Sequence, residues 1–321
     1  RLRDQAEMLL KYYLQNEVSI DFVTHVLTEI NDVIIQRAVF FAKNKYDEDF
    51  KEVNGVKFCI LSLGSEGRGE QLLRTDMDNA LVYEDVDQLK EEKTNNYLLK
   101  ISAEVIDILE ACGFHTCPAK IMCNNPEWCQ PLSIWKAQFG HWILHPVQES
   151  LLKATIFVDF RAIYGEMELA EKMVLHIYDL VEEKKIFLNF LAKNALLNPP
   201  PLGFFRDFLV EKSGLHREKF DIKLRAMMPL ADAARVLVLS HRVVGINNTF
   251  KRFEKLAEME PQNRDIFLEA GKAYEIFIRI RVIEGLKTGD SGAAISLINE
   301  IRTRARDWAV AESIGDGTSP E

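Results

Sequence analysis

One stretch restricts this chain more than any other. It reads Gly64-Ser65-Glu66-Gly67-Arg68-Gly69-Glu70-Gln71-Leu72-Leu73-Arg74-Thr75-Asp76-Met77-Asp78-Asn79. An apolar run, Val56 to Leu63, leads into it, and Ala80-Leu81-Val82-Tyr83 follows. The first run is short, apolar and rich in β-formers, so it predicts a buried strand. The second predicts another. Between them the chain must turn sharply at glycines and return with two acids one residue apart.

Gly64, Gly67 and Gly69 open backbone conformations closed to other residues and let the chain approach a ligand closely. Successive N–H groups in such a turn form an anion-binding concavity, and the Ser65 hydroxyl adds a donor. Asp76 and Asp78 fall on one face of a strand. Two carboxylates that close repel unless a cation sits between them. Magnesium takes oxygen ligands, commonly one or two carboxylates together with substrate phosphates. The pattern therefore points to a triphosphate held by Gly64 and Ser65, with magnesium on Asp76 and Asp78. No Gly-Lys-Ser/Thr follows the glycines, which excludes a Walker P-loop. The acidic pair comes too early, and is doubled, for a Rossmann fingerprint.

Gly64-Ser65 followed by Asp76-x-Asp78 resembles the signature of the DNA polymerase β-type nucleotidyltransferase superfamily. The fuller string is similar to the nucleotidyltransferase family related to PII-protein uridylyltransferase (GlnD-like). Cys112-Gly113-Phe114-His115-Thr116-Cys117-Pro118 adds to the match, as do Met122, Asn125-Pro126, Trp128 and Trp135. So do Pro199-Pro200-Pro201-Leu202-Gly203-Phe204-Phe205-Arg206, Asp221 to Arg225 and Pro229 to Arg235, which resemble the family's helical substrate-binding domain. The resemblance covers roughly residues 20 to 260 and fades beyond about 275. The family has Gln where this chain has Met77, a side chain expected to point away from the metal face. The resemblance implies a polymerase β-like α/β (α+β) core with a short mixed sheet and a C-terminal all-helical domain. It implies transfer of a nucleoside monophosphate from a triphosphate such as ATP to an acceptor hydroxyl, with two Mg2+ ions and release of pyrophosphate. The acceptor would be a PII-like signalling protein or a small molecule. CBS or cyclic-nucleotide-binding modules accompany such domains and are expected partners. The alternative is a sensor that binds nucleotide and magnesium and catalyses little.

A third carboxylate on a later strand completes the metal site in that superfamily. Asp159 is the candidate, centred in the β-rich run Thr155 to Tyr164. An acid in so apolar a run is costly unless paired or metal-bound, so an ion pair with Arg161 or another base stays open. The catalytic and metal set is therefore Asp76, Asp78 and Asp159. Gly64, Ser65, Arg68, Thr75 and Lys223 are the nucleotide-binding set. Arg68 and Arg74 bracket the turn and can reach phosphate oxygens, and both also read as surface charges. Lys223 reaches the cleft if the helical domain folds across it, and otherwise is an exposed helix charge.

The predicted domains are an N-terminal helical lead over 1–50, the nucleotidyltransferase domain over 51–165 and the helical domain over 166–321. Residues 1–47 are predicted to be helical, with strands over 56–63 and 79–84, and helices over 95–111 and 131–144. Further helices are predicted over 166–193, 203–212, 219–241, 248–259, 262–286 and 292–308, with a break at Asn198-Pro199-Pro200-Pro201 and a loose tail from Gly315. The 321 residues suffice for two cores. Residue 1 is Arg within a helical pattern, as expected of a fragment.

The net charge of -9 argues against broad nucleic-acid affinity, and no basic stripe with interleaved aromatics suggests a tailing enzyme. No apolar stretch reaches membrane-spanning length and no signal peptide is seen. Five cysteines in no disulfide pattern suit a cytoplasmic setting. Cys112, His115, Cys117, Cys123 and Cys129 cluster, but their spacing lacks two clean Cys-x2-Cys pairs, so small buried residues are favoured over zinc. His141 and His145 share a helix face without the Glu of a zinc protease.

Overall fold

The computed structural model describes residues 2–73, 76–197, 220–289, 292, 294 and 295. Two helices, α1 (Leu2–Gln15) and α2 (Ile20–Tyr46), make up the stretch predicted to be helical over 1–47. The break falls where Glu17 takes a left-handed φ of 54° and Ser19 caps α2 by accepting a hydrogen bond from the Phe22 N–H. A polar N-cap of this kind satisfies a donor the helix cannot use.

The sheet is short and mixed, as predicted. Strand β1 (Phe58–Ser62) leads into the helical turn α3 (Gly64–Gly67). Two-residue β2 (Asp76–Met77) and then β3 (Asn79–Tyr83) follow. After α4 (Gln88–Ala111) come β4 (His115–Thr116), β5 (Cys129–Pro131), α5 (Leu132–Leu144), α6 (Gln148–Phe157) and β6 (Arg161–Gly165). The main sheet runs β5-β3-β1-β6, with β1 antiparallel to both neighbours and β3 parallel to β5. Every residue of β1 and β3 is buried, as befits strands covered on both faces. Apart from it, β2 and β4 form a parallel pair that sets Asp76 opposite His115.

The strand predicted across 155–164 is only half right. Residues through Phe157 belong to α6, and β6 starts at Arg161. Packing overrides β-propensity here. Phe157 sits 4.5 Å from Trp128 and 5.4 Å from both Trp135 and Trp142, ring centre to ring centre. Thr155 spends its hydroxyl on the Leu151 carbonyl within the helix.

The rest of the described chain is helical: α7 (Met167–Glu183), α8 (Ile186–Ala195), α9 (Met228–Ser240), α10 (Thr249–Met259) and α11 (Arg264–Thr288). The helix predicted over 219–241 begins differently. Phe220–Asp221 forms β7, antiparallel to β8 (Ala294–Ile295), which is itself a strand where a helix over 292–308 was predicted. A π-helical stretch, Lys223–Met227, then leads into α9. Pro229 explains it, because it lacks the N–H that would bond to Arg225. Met228 instead donates to the Lys223 carbonyl five residues back. The predicted helix over 203–212, the remainder of 292–308 and the tail lie outside the described residues.

Helix α2 ties the two parts together. Its C-terminal half, Ile34 to Ala42, joins the core around the sheet and α4. Its N-terminal half packs with α1, Met227, Ala231 and the α11 residues Tyr274, Ile278 and Val282. Among the described residues no helix is long and apolar enough to cross a membrane.

Candidate active site at the glycine turn

The site grows from the register of β1 and β3. Ser62 pairs with Asn79, so the residues just beyond, Leu63 and Asp78, meet at the sheet end. The Leu63 N–H donates to the Asp78 carbonyl over 2.9 Å. Gly64 follows with φ +55°, and a Cβ there would stand 3.3 Å from Asp78 Oδ2. A side chain would therefore be strained and would crowd the carboxylate. Gly64 and Ser65 begin the single turn of α3, whose first N–H groups have no intrahelical acceptor.

Asp76 is exposed and Asp78 half-buried. Burial pushes the Asp78 carboxyl pKa up, and the charge of Asp76 pushes it the same way. A hydrogen bond from the Cys117 thiol and the charges of Lys223 and Arg68 oppose this. Lys223 thus stands in the field of both acids. Desolvation of its ammonium lowers its pKa, with Arg281 and Arg68 adding to the effect, while Asp78 and Asp76 act against it. As a residue Lys223 still keeps an exposed surface at the cleft mouth. Cys117 was expected among small buried residues in a loop that shapes the rim of the site, and its thiol's bond to Asp78 goes beyond that. The β2–β4 pairing and the hydrogen bonds of Asn79 to Ile121 and Cys123 bring its loop to the aspartates, and local sequence carries no sign of them.

Asp159 belongs elsewhere, which corrects its expected role as a third metal ligand. It lies in the turn between α6 and β6 with no exposed surface. Oδ2 accepts from Arg68 Nη1 at 3.0 Å and from Arg235 Nε and Nη2 at 3.1 and 2.6 Å. Oδ1 forms an ion pair with Arg252 Nη1 at 2.9 Å, outside good hydrogen-bond geometry. Three guanidinium groups surround the carboxylate and balance its charge without a metal. The ion-pair alternative holds, but with Arg68, Arg235 and Arg252. Arg161 instead grips Asp32 through Nη1 and Nη2 at 2.6 and 2.8 Å.

This buried cluster ties the glycine turn to the helical region. Arg235 also pairs with Asp232. Arg68 Nε donates to Glu70 Oε2 at 2.9 Å, and Glu70 accepts from the Tyr274 hydroxyl at 2.7 Å and from the Thr249 N–H. Three arginines thus face three acids, and the charges balance. Burial alone would push the Asp159 carboxyl pKa up, but Arg235, Arg252 and Arg68 overcome it and hold the pKa well below the usual carboxylate range. The expectation that Arg68 reaches out to phosphate is revised as well, since two of its donors are committed to Glu70 and Asp159. Gly67 serves the cluster too, because a Cβ there would lie 1.8 Å from the Asp159 carbonyl oxygen.

Thr75 and Arg74 lie outside the described residues. Among the described residues no group of three or more His, Cys, Asp or Glu side chains is placed to hold a metal. The thiols of Cys59 and Cys123 are pushed up to about 12 by burial, so both are inert packing groups. His141 and His145 stack with ring centres 4.8 Å apart, and the His145 ring bonds to the His141 carbonyl.

A strand, glycine turn and Asp-x-Asp on a small mixed sheet define a nucleotidyltransferase-like fold with an attached helical region. The family model described as "Putative nucleotidyltransferase DUF294" matches residues 4–149. A second, "Putative nucleotidyltransferase substrate binding domain", matches residues 185–304. The chain belongs to this family, whose assigned activity is nucleotidyl transfer in general. No curated protein matches it.

Proposed function

We propose that the chain is a magnesium-dependent transferase that moves a nucleoside monophosphate from a nucleoside triphosphate to an acceptor hydroxyl. One observation carries the proposal: Asp78 sits beside side-chain-free Gly64, shares its field with Asp76, and finds only partial compensation in Cys117, Lys223 and Arg68, two of whose donors are committed to Glu70 and Asp159. Such a pair is short of positive charge, and a cation supplies it. Asp76 and Asp78 would hold the magnesium, which when bound stabilises charge on the entering and leaving oxygens. Two protein carboxylates suit magnesium that arrives with phosphate ligands, and the triphosphate oxygens would complete the shell of either ion.

The chain's own groups do the rest. Gly64 and Ser65 hold the β- and γ-phosphates with the N–H groups opening α3. Lys223 offsets phosphate charge from the opposite wall. The acceptor oxygen bonds to the α-phosphorus as its proton passes to water, and the bond from the α-phosphorus to the β-phosphate oxygen breaks to release pyrophosphate. The acceptor is a protein hydroxyl, as in a PII-like signalling protein, or that of a small molecule. CBS or cyclic-nucleotide-binding modules are the proposed regulatory partners. All five cysteines are free, which supports a reducing, cytoplasmic setting.

The engagement of Asp159 by three arginines favours a second reading, a sensor that binds nucleotide and magnesium with little turnover. Pyrophosphate release, measured with each of four nucleoside triphosphates with and without magnesium and with cell extract as acceptor source, separates the two. Magnesium-dependent release that disappears in Asp76→Asn/Asp78→Asn supports the transferase. Nucleotide-dependent thermal stabilisation without release supports the sensor.

A further inference from the structure

Behind the glycine turn lies a cavity of about 740 Å³ that none of Gly64, Ser65, Asp76, Asp78 or Lys223 lines. Its volume falls in the range of roughly 300–1,000 Å³ typical of small-molecule sites. Its walls come from α2, β6, α7 and the loop Val244–Asn248, and Gly67, Arg68 and Gly69 form the side toward the turn. The interior is apolar, with Phe160, Ala170, Val174 and Ile177 among its surfaces. Thr28 on the α2 wall is buried, and its hydroxyl has no hydrogen-bond partner among the described residues. The mouth is acidic. Asp21, Glu29 and Glu171 line it, exposed, against Lys251 and His25. Asp21 and Glu171 have no ion-pair partner among the described residues, whereas the guanidinium groups deeper in the cavity are engaged, Arg68 and Arg252 by Asp159 and Arg161 by Asp32.

We infer that this cavity binds a small amphipathic amine, with an apolar ring-sized body among Phe160, Val174 and Ile177 and a protonated nitrogen at the acidic mouth. The ligand acts on the turn through Asn247. Asn247 Nδ2 donates to the Gly67 carbonyl at 3.2 Å and to the Phe160 carbonyl at 2.7 Å. Arg252, which pairs with Asp159, donates to the Ile246 carbonyl at 2.8 Å and to Asn247 Oδ1 at 3.4 Å. A body seated against Phe160 and Asn247 therefore bears on the backbone that shapes the turn. This linkage rests on the nucleotide reading of the turn, but amine binding does not.

The test is titration calorimetry of the chain with three indoles of similar shape: tryptamine, the neutral alcohol tryptophol and the anion indole-3-acetate. Tryptamine is expected to bind saturably, about 5-fold tighter than tryptophol, with indole-3-acetate weakest, as a few partly screened charges allow. Val174→Trp puts an indole ring where the ligand's apolar body would sit and abolishes binding. Asp21→Asn/Glu171→Gln, at exposed positions, brings tryptamine down to the affinity of tryptophol and leaves tryptophol unchanged. Absence of saturable binding, binding unaffected by both variants, or tightest binding of the acetate overturns the site. With the site filled, the affinity for a magnesium–ATP analogue should change by about 5-fold or more. Nucleotide bound with unchanged affinity overturns the linkage. Tryptamine bound by a chain that binds no nucleotide overturns the nucleotidyltransferase reading and leaves the cavity site standing.

Discussion

The aspartate pair and the Asp159 cluster hold the same carboxylates in opposite circumstances. Asp76 is exposed and Asp78 half-buried, the charge of Asp76 helps burial push the Asp78 pKa up, and Cys117, Lys223 and Arg68 offset this only in part. Asp159 is sealed among three arginines that force its pKa down. The cluster is built to keep α3, α9, α10 and α11 together, and the pair is built to be completed by something that binds. A run of apolar residues around an acid reads alike in both places. The difference lies in which distant side chains arrive.

The sharpest way to break this contrast is to neutralise each acid in turn. Asp159→Asn leaves three buried arginines facing two acids. It should cost about 3–5 kcal/mol of stability, the scale for breaking a buried ion pair, seen as a lower urea midpoint. Arg252→Met with Asp159→Leu removes charge from both sides and should recover part of that loss. Asp78→Asn should leave the urea midpoint within about 0.5 kcal/mol of wild type, while lowering magnesium-dependent transfer by about 10²-fold or more, the scale for losing one electrostatic stabiliser of a transition state. Reversal of these two outcomes would exchange the roles assigned to the acids.

The glycines sharpen the contrast further. Gly67→Ala drives a methyl into the Asp159 backbone and should destabilise the fold by several kcal/mol, about 3 or more. Gly64→Ala meets only the Asp78 carboxylate and a left-handed φ, at about 1–2 kcal/mol, and should weaken nucleotide binding more than it weakens the fold.

The smallest effect is in pH. The depressed pKa of Asp159 adds stability that is fully present above the unfolded carboxylate value and lost as pH falls toward its folded value. The raised pKa of Asp78 works in reverse, so its cost is present at neutral pH and relieved as acid protonates it. Urea midpoints measured from pH 7 down to 2 should therefore fall more steeply for Asp78→Asn than for wild type above about pH 4, the unfolded Asp value, and less steeply for Asp159→Asn below it.

Much of this was legible in the sequence. The glycine turn and the flanking strands are local and lie where the spacing says, while Asp78 falls between β2 and β3 rather than on one strand with Asp76. Lys223 was legible only through the resemblance, since its approach to the aspartates depends on how the helical region crosses the cleft. Asp159 was misjudged because its partners lie 91, 76 and 93 residues away, at Arg68, Arg235 and Arg252. The helix over 148–157 was hidden by Thr155 and Ile156, whose β-propensity yields to the tryptophan cluster around Phe157. The π-helical entry to α9 could have been found, because Pro229 forbids the α-helical hydrogen bond to Arg225.

The most direct test of the aspartate pair is magnesium-dependent binding of a non-hydrolysable nucleoside triphosphate analogue, measured by calorimetry on wild type and on Asp76→Asn/Asp78→Asn. The account predicts that wild type binds the analogue more tightly with magnesium than without, and that the double variant folds normally and loses that magnesium dependence. Equal magnesium-dependent binding by both proteins would contradict it and place the metal, and the chemistry, away from the pair.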